Sequence, residues 1–541
     1  MNDLFLGFDC STQSLTAVII DNKKIVYKYS VNFDADLPQY NTKNGVILFD
    51  DGITVHSYPL MWVEALDLLL AIMKDNGIDF SKIRAISGSA QQHGTVYLNE
   101  KFEKKLNNLN PYEIIRYQID DCFSRRTSPI WMDSSTTRQC EEIRNALGGK
   151  KGIIEITGSN SFERFSAAQI RKFFQQEREA YDNTSIIHLV SSFMASILIG
   201  KNAPIDHADG SGMNLMNIFS KEWDEKALNA TAPGLKEKLP PLTESSAIIG
   251  TISPYFIKRY GFEPNTKIIA WSGDNPNSLI GTGLISKGKV AISLGTSDTY
   301  FGFMEKLYLD LKGEGHVFCS PIGNYMSLIC FKNGSLARES IKNQFNLNWD
   351  EFSEILRQTP PGNYGRLMLP YFMPEIVPLV LNPKVYRFGF DENDLEANVR
   401  AIIEAQFLSM RLHSEWIKEK PSEILATGGG SANKDILQVA ANIFNVKIRQ
   451  FEITDSAALG AAIRCMKSYY DSIQKAISWD DIIKNILKAD KKPFIKPQLE
   501  YKELYDEMLE LYKRYEDFVL RNKPNPEKYR QKFIEKYFKQ N

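Results

Sequence analysis

The sequence contains no pair of cysteines at C-x-x-C spacing and no histidine at zinc-finger distance from a cysteine. These absences exclude the common zinc modules and the thioredoxin-type redox motif. We interpret the cysteines that are present as reduced thiols and therefore expect a cytosolic protein. They are Cys10, Cys122, Cys140, Cys319, Cys330 and Cys465.

No apolar run is long enough to cross a bilayer. The longest lies around Leu189 to Ile199, whereas a membrane-spanning helix needs about 20 apolar residues. The opening residues MNDLFLGFDCSTQS also lack the basic start and the apolar stretch of a signal peptide. These observations predict a cytoplasmic protein without a membrane partner.

The chain also has no large excess of positive or negative charge. The 65 Lys and Arg residues balance 66 Asp and Glu residues, for a formal net charge of -1. A nearly neutral chain gives no reason to expect nucleic acid as a partner. Apolar residues make up 43% of the 541 positions, as in ordinary globular proteins. At roughly 150 residues per domain, this length predicts two or more domains.

The common nucleotide-binding motifs are incomplete. The stretch Gly283 to Val290 is close to a P-loop, but Val290 stands where Ser or Thr binds the metal, and VAISLG looks like a strand. The run Gly210 to Gly212 lacks the third glycine of a dinucleotide fingerprint and has no strand directly before it. A nucleotide site in this chain must therefore be built in another way.

Two strand–turn–strand units with similar turns occur in separate halves of the chain. The first is LFLGFD, CSTQS and LTAVIID, and the second is KVAISLG, TSD and TYFGF. Small, hydroxyl-bearing turns let backbone N–H groups approach a phosphate closely, and Asp9 at the end of the first strand suits a hydrated magnesium ion. Ordinary hairpin turns favour the same residue types, which is the alternative interpretation. The candidate phosphate contacts are Thr12, Gln13, Gly295, Thr296 and Ser297.

A third unit joins a short apolar strand, EILAT, to the segment SANKDILQVAANIF through Gly428, Gly429 and Gly430. Apolar residues recur in that segment at helical spacing, which predicts a strand, a glycine turn and a helix. Because strands and helices alternate along the chain, the sequence predicts an α/β fold.

Polar residues follow several apolar segments. Asp274 comes after IIAW, where a carboxylate suits a general base or a metal ligand, or else caps the turn or the next helix. His93 follows IRAIS among amide side chains that suit a polyol, although a packed histidine is the alternative. Asp133 in PIWMDSST and Arg164 in SFERF lie beside aromatic residues, which suit a sugar or a domain core.

Taken together, the motifs resemble those of the FGGY carbohydrate kinases, and within them the eukaryotic type that acts on D-xylulose. The segments that carry the resemblance run in order from residue 5 to about residue 465. They are FLGFDCSTQS, ISGSAQQHG, PIWMDSSTT, ERF, PIDHADGSGMN, WSGDNP, SLGTSDT, CFKNGSL and ILATGGGSAN. The chain beyond about residue 470 has no counterpart in these motifs.

The resemblance implies a two-lobed, actin-like (ribonuclease H-like) α/β ATPase fold with a cleft between the lobes. It places a sugar-binding lobe with the first phosphate hairpin at residues 1–265 and a nucleotide-binding lobe at residues 266–468. A charged, helical extension follows at residues 469–541. A monomer or a homodimer is expected.

The resemblance also implies a reaction and a set of site residues. The chain is expected to phosphorylate D-xylulose to D-xylulose 5-phosphate with ATP and Mg²⁺, with Asp274 as general base on the O5 hydroxyl. Asp9 and Asp274 are the expected metal ligands. The expected sugar contacts are His93, Arg164, Asp274, Asn275 and, more weakly, Asp133. The expected nucleotide contacts are Thr12, Gln13, Gly295, Thr296, Ser297, Trp349, Gly428, Gly429, Gly430 and Asn433.

Other functions are compatible with the same motifs. The fold could act on ribulose, fuculose, glycerol or gluconate, or serve as a non-catalytic sugar-binding regulator, since fold alone does not fix function. A filament-forming, actin-like ATPase is a third alternative. Two positions depart from the pattern: Met132 stands where many bacterial relatives carry a polar residue, and Cys10 lies beside Asp9.

Overall fold

The computed structural model describes residues 3–451, 455–475, 477–487 and 492–539. Contacts divide the chain into two units. The described residues of the first unit fall in the ranges 1–285, 317–326 and 453–489. Those of the second unit fall in the ranges 286–316, 327–452 and 490–541.

The strands are short, as in other α/β proteins. They are β1 Leu4–Cys10, β2 Ser14–Ile20, β3 Ile25–Asn32, β4 Ile47–Leu48, β5 Val55–Ser57, β6 Ile83–Ala90, β7 Thr95–Leu98, β8 Ser128–Pro129, β9 Ile186–Leu189, β10 Ile205–Asp206, β11 Leu242–Thr243, β12 Ile248–Thr251, β13 Lys267–Ile269, β14 Ser272–Gly273, β15 Lys289–Leu294, β16 Asp298–Met304, β17 His316–Cys319, β18 Tyr325–Phe331, β19 Leu367–Pro370, β20 Glu375–Ile376, β21 Leu379–Val380, β22 Val385–Phe388, β23 Glu423–Thr427 and β24 Lys447–Gln450.

Helices occur between these strands, and in two places of the described chain several helices follow one another without an intervening strand. They are α1 Phe33–Asp36, α2 Pro59–Asp75, α3 Lys101–Leu106, α4 Ile115–Gln118, α5 Thr137–Ala146, α6 Gly149–Thr157, α7 Ser166–Gln176, α8 Arg178–Asp182, α9 Val190–Ile199, α10 His207–Gly210, α11 Glu225–Thr231, α12 Pro254–Tyr260, α13 Asp274–Gly281, α14 Ser335–Gln344, α15 Trp349–Gln358, α16 Leu395–His413, α17 Lys434–Phe444, α18 Ser456–Ser472, α19 Trp479–Ile486, α20 Lys502–Arg521 and α21 Glu527–Tyr537.

The first unit is built on a seven-stranded sheet with the order β12-β13-β6-β1-β2-β3, and β14 also pairs with β6. The predicted first hairpin is confirmed, because β1 and β2 pair antiparallel from Phe5 opposite Ile20 to Cys10 opposite Leu15. The pairs of β1 and β14 with β6 are parallel. Parallel strands direct their carboxyl ends to one edge of a sheet, and that edge is where α/β folds bind ligands.

Glycines allow α13 and α18 to pack backbone to backbone in the first unit. A Cβ atom on Gly281 would lie 1.9 Å from the carbonyl oxygen of Ser456, and one on Gly460 would lie 1.9 Å from that of Asn277. A side chain at either position would therefore push the two helices apart. Because α13 begins at Asp274, this close contact also fixes the position of the proposed catalytic carboxylate.

The second unit contains a sheet with the strand order β18-β16-β15-β23-β24. The predicted second hairpin is confirmed, since β15 and β16 pair antiparallel from Val290 opposite Gly302 to Leu294 opposite Asp298. The predicted strand, glycine turn and helix are confirmed as β23 and α17. The apolar stripe of α17 is buried, at Leu437, Ala440, Ala441 and Phe444.

The contact units differ in their boundaries from the lobes that the resemblance implies. Residues 266–285 group with the first unit, because β13 and β14 pair with β6 there. The helix α18 also groups with the first unit, where it packs against α13, β1 and β6. Residues 317–326 do so too, and the N–H of Cys319 donates to Ser211 Oγ at 2.9 Å.

The segment beyond residue 468 is largely helical in its described part. The helix α20 packs against α16 and α17 and buries one face. At its start, the Tyr505 hydroxyl donates to Glu404 Oε1 at 2.7 Å and accepts from Arg400 Nη2 at 2.7 Å. Among the described residues, no helix combines the length and the apolar content that a membrane span requires.

A buried histidine makes the stability of the second unit depend on pH. His413 lies between Glu314 and Glu516, with ring-nitrogen to carboxylate distances of 2.8 and 2.9 Å. Burial alone would lower the pKa of His413, but the hydrogen bonds and charges of the two carboxylates raise it from 6.5 to about 9. The protonated ring therefore stabilises the folded state by about 3 kcal/mol, and this stabilisation is fully present below pH 6.5. This stabilisation is lost as the pH rises through 9.

We expect the free energy of unfolding in urea to fall by about 3 kcal/mol between pH 6 and pH 9.5 through this group. His413→Gln is the control, because glutamine does not titrate and should remove this part of the pH dependence. Equal pH dependence in both proteins would contradict the assignment.

Candidate active site

The two carboxylates singled out in the sequence lie at the same edge of the first sheet. Asp9 on β1 and Ser272 on β14 both stand opposite Ser89 of β6, in parallel pairs on its two sides. Asp274 follows two residues after Ser272, at the first position of α13. Strand pairing thus brings together carboxylates that are far apart in the chain.

Asp274 combines a half-buried carboxylate with nearby hydrogen-bond donors. Its Oδ1 accepts from the N–H of Asn275 at 2.8 Å and from Asn275 Nδ2 at 3.1 Å. Burial raises the pKa of Asp274 to about 6, while backbone N–H groups, including those of Asn275 and Gln92, hold it down. Such a carboxylate is ionised at neutral pH and basic enough to take a proton.

Asp9 has an electrostatic environment that favours a cation. Burial raises the pKa of Asp9 to about 7, and the negative charges of Asp274 and Asp455 add to this. Asp9 Oδ1 is buried and has no hydrogen-bond partner among the described residues. A hard cation would pair with this oxygen and offset the repulsion between the carboxylates.

His93, Phe165 and Arg164 form a second part of the same unit. The His93 and Phe165 rings stack with centroids 4.5 Å apart, and the Arg164 guanidinium lies 5.4 Å from the centroid of the Phe165 ring. Burial and the charge of Arg164 lower the pKa of His93 to about 3, so the ring is neutral. Its Nδ1 lies 2.9 Å from the carbonyl oxygen of Gly212. Since a carbonyl only accepts, Nδ1 carries the proton and Nε2 remains an acceptor.

Asp133 is engaged within the protein. Its Oδ2 accepts from the N–H of Val55 at 3.0 Å, and its Oδ1 accepts from Ser135 Oγ at 2.5 Å and from Gln169 Nε2 at 2.8 Å. Both oxygens therefore support the local fold. Its neighbour Trp131 instead reaches the first hairpin, where Nε1 donates to Thr12 Oγ1 at 2.8 Å.

In the second unit, a pocket of about 620 Å³ lies between the second hairpin turn, the glycine turn and the start of α15. Ser297 and Gly428 lie outside its lining, and Thr12 and Gln13 belong to the first unit. The predicted nucleotide contacts that line the pocket are Gly295, Thr296, Trp349, Gly429, Gly430 and Asn433. Trp349 is 40% exposed and offers an aromatic face to a ligand.

The glycine turn has distinct local roles. Gly428 has φ +79°, and a Cβ atom there would lie 2.7 Å from the carbonyl oxygen of Leu294, so this position requires glycine. Gly429 has open space at its Cβ position, which lets a ligand approach the backbone. Asn433 caps α17, accepting from the N–H groups of Asp435 and Ile436 at 3.0 and 3.1 Å.

Two family models match the chain. The FGGY family of carbohydrate kinases, N-terminal domain, matches residues 126–281, and the C-terminal domain of the same family matches residues 290–469. The chain belongs to the FGGY family of carbohydrate kinases. The predicted family is thereby confirmed.

Several relatives with the same name are similar to this FGGY kinase along most of its length. Xylulose kinase of Rattus norvegicus is 45% identical over 471 residues, which cover 85% of this chain and 87% of the relative. Xylulose kinase of Mus musculus is 41% identical, and the match covers 96% of this chain and 95% of the relative. Xylulose kinase 2 of Arabidopsis thaliana is 46% identical, covering 86% and 87%.

Solved structures of bacterial sugar kinases share the fold. Ligand-bound xylulose kinase from Lactobacillus acidophilus matches with a TM-score of 0.77 at 20% identity, covering 96% of this chain and 99% of that chain. Xylulose kinase from Rhodospirillum rubrum matches with a TM-score of 0.79 at 16% identity, covering 95% of this chain and 99% of that chain. The predicted two-domain, actin-like α/β fold is confirmed.

A buried ion pair lies beside the second-unit pocket of this FGGY kinase. Arg338, which lines the pocket, donates from Nη1 to Asp298 Oδ2 at 2.7 Å and from Nη2 to Asp298 Oδ1 at 3.0 Å. Nη1 also donates to Gln406 Oε1 at 2.9 Å. The pair fixes the turn that carries Gly295 and Thr296. Asp298 belongs to the SLGTSDT motif, but Arg338 lies 40 residues further along the chain and in no motif, so no local pattern indicates that the two residues pair.

Proposed function

We propose that this FGGY kinase transfers the γ-phosphoryl group of ATP to the O5 hydroxyl of D-xylulose, giving D-xylulose 5-phosphate and ADP. The observation that carries the proposal is the half-buried Asp274 carboxylate, whose pKa is raised to about 6. It lies beside Asp9 and in the same unit as His93 and Arg164. The names of the relatives support D-xylulose as the sugar.

In the proposed reaction, Asp274 takes the proton of the O5 hydroxyl as that oxygen bonds to the γ-phosphorus. The bond from the γ-phosphorus to the bridging oxygen breaks, and ADP leaves. Phosphoryl transfer needs little covalent work from the protein, so positioning and charge stabilisation supply most of the rate. The hydrogen bonds from Asn275 hold Asp274 in place for this step.

Asp9 and Asp274 are the proposed magnesium ligands. The buried, unpartnered Asp9 Oδ1 fits this role. Mg²⁺ in kinases is usually held by one or two carboxylates together with substrate phosphates. Asp9 and Asp274 would supply these carboxylates. The ion would neutralise charge on the phosphates.

The second-unit pocket is the proposed ATP site. The start of α14 lies there, with Ser335 in the lining, and the N-terminus of a helix attracts phosphate. Gly295, Thr296 and Ser297 are the proposed phosphate contacts, while Trp349, Gly428 to Gly430 and Asn433 border the adenosine.

A sugar panel tests the reaction. Purified protein with Mg-ATP is given D-xylulose, ribulose, glycerol or gluconate, and ADP release is measured. We expect kcat/KM for D-xylulose to exceed the others by about 10²-fold, because a site that hydrogen-bonds each hydroxyl rejects mismatched polyols strongly. A higher value for another sugar would reassign the substrate, and sugar binding without ADP release would indicate a regulator.

His93→Ala should raise KM for the ketose by about 10-fold or more, because the acceptor at Nε2 is lost, and leave KM for ATP unchanged. Initial rates at varied ketose and ATP check this. His188→Asn is the control, since His188 is equally buried but bonds to Ser192 and Asn202. Parallel losses for ketose and ATP would argue against a sugar role.

A further inference from the structure

A buried carboxyl group that no step of the proposed reaction uses lies behind the active site. Asp209 is on the short helix α10 and is 1% exposed. Its Oδ2 accepts from Ser191 Oγ at 2.6 Å, and its N–H donates to Asp206 Oδ1 at 2.9 Å. Asp209 Oδ1 is buried and has no hydrogen-bond partner among the described residues.

The unpartnered oxygen of Asp209 lies next to an unpartnered amide. Gln92 Nε2 is also buried without a partner within the described part of the chain. Both side chains lie against the same side of Gly273, where an added Cβ atom would be 2.9 Å from Asp209 Oδ1 and 2.9 Å from Gln92 Cδ. A donor and an acceptor thus lie side by side against Gly273, the residue that directly precedes Asp274 in the chain.

Gln92 reaches the Asp274 carboxylate in two ways. Its Oε1 accepts from Asn275 Nδ2 at 2.8 Å, and the same nitrogen donates to Asp274 Oδ1 at 3.1 Å. Its backbone N–H also holds down the pKa of Asp274. The orientation of the Gln92 side chain therefore affects the group that positions the base.

The orientation of a glutamine amide depends on what surrounds both of its ends. If the Gln92 amide turned over, its NH₂ group would face the NH₂ group of Asn275, and two donors cannot pair. The present orientation is favoured when Nε2 finds an acceptor, and Asp209 Oδ1 is the acceptor beside it. Burial and the charges of Asp206 and Asp274 raise the pKa of Asp209, while the hydrogen bond from Ser191 holds it down.

We propose that Asp209, held by Ser191, is a positioning residue that fixes the orientation of the Gln92 amide and, through Asn275, that of the Asp274 carboxylate. The inference rests on the proposed role of Asp274 as the base. It requires only an acceptor at Asp209 Oδ1 and a group that bonds to Ser191. Asparagine has the same shape and supplies both an acceptor oxygen and a group that bonds to Ser191. Leucine has a similar size but supplies neither.

Turnover of Asp209→Leu and Asp209→Asn tests this requirement. We expect Asp209→Leu to lower kcat by about 10²-fold, because a small misplacement of a reacting group costs about that much, with KM for ATP unchanged. Asp209→Asn should stay within about threefold of the unmodified protein, because it keeps an acceptor oxygen beside Gln92 and a group that can bond to Ser191. Equal losses in the two variants would overturn the proposal.

A double-mutant cycle with Gln92→Met tests whether Asp209 acts through Gln92. Methionine keeps the length of the side chain and removes the amide. In the Gln92→Met background we expect Asp209→Leu to lower kcat by no more than about twofold further, because the two residues act through one interaction. Losses that multiply would show that Asp209 acts by another route and would reject the inference.

Two further variants keep the outcome decisive. If Asp209→Leu does not fold, Ser191→Ala replaces it in the cycle, with an expected loss of kcat of about fivefold that disappears with Gln92→Met. Asp274→Asn separates the two proposals: an active Asp274→Asn rejects the base itself. An inactive Asp274→Asn together with normal turnover in Asp209→Leu rejects only the role of Asp209.

Discussion

Asp274→Ala is expected to lower kcat by about 10²- to 10⁴-fold or more, because a positioned general base contributes that much to proton transfer. Nucleotide binding should survive, since the pocket of about 620 Å³ that carries Trp349 and the glycine turn belongs to the second unit. Single-turnover rates with D-xylulose and calorimetric titration with ADP measure the two quantities separately.

Asp274→Asn is the matched control for this result. Asparagine keeps the size of the side chain and an oxygen for the hydrogen bonds from Asn275, yet it is not a base near neutral pH. The two variants should therefore lose turnover to a similar extent. Turnover close to normal in either of them would refute the assignment of the base.

Arg338→Met is expected to lower the free energy of unfolding by about 3–5 kcal/mol, because it leaves the Asp298 carboxylate buried without its partner. The side chains of Arg338 and Asp298 are only 1% and 2% exposed. Burial raises the pKa of Asp298, and Arg338 is the main group that holds it down. Urea unfolding followed by circular dichroism measures the loss.

The double variant Arg338→Met with Asp298→Leu should recover much of that stability, since neither charge is then buried alone. Arg178→Ala is the surface control. Its partner is Asp182, the two side chains are 61% and 55% exposed, and such pairs are worth less than about 1 kcal/mol. A loss in Arg338→Met no larger than this control would contradict the expected importance of the buried pair.

The local elements that surround the site were predictable from the sequence. The spacing of apolar residues and the residue types in the turns indicated both hairpins. They also indicated the strand, glycine turn and helix around Gly428 to Gly430, and each of these elements is confirmed. These features depend on residues that are near one another in the chain. The motifs that carry the resemblance also identify the family, because they occur in the same order along the chain.

The environment of the candidate residues was not predictable in the same way. The sequence predicts Asp133 as a sugar contact, but nothing near it in the chain indicates the hydrogen bonds of its oxygens to Val55, Ser135 and Gln169. It also offered no reason to single out Asp209. Partners separated by tens to hundreds of residues leave no local pattern in a single sequence.

The sequence by itself determined the hairpins, the glycine turn, the α/β class and the membership of the FGGY family, because each depends on short motifs with fixed spacing. Only the tertiary structure decided that Asp9 and Asp274 share one sheet edge, and that Gln92 and Asp209 lie behind them. The physical reason is the parallel pairing of β1 and β14 with β6, together with the close contact of α13 and α18. Burial at that edge then raises the pKa of each carboxylate, a property that no residue has on its own.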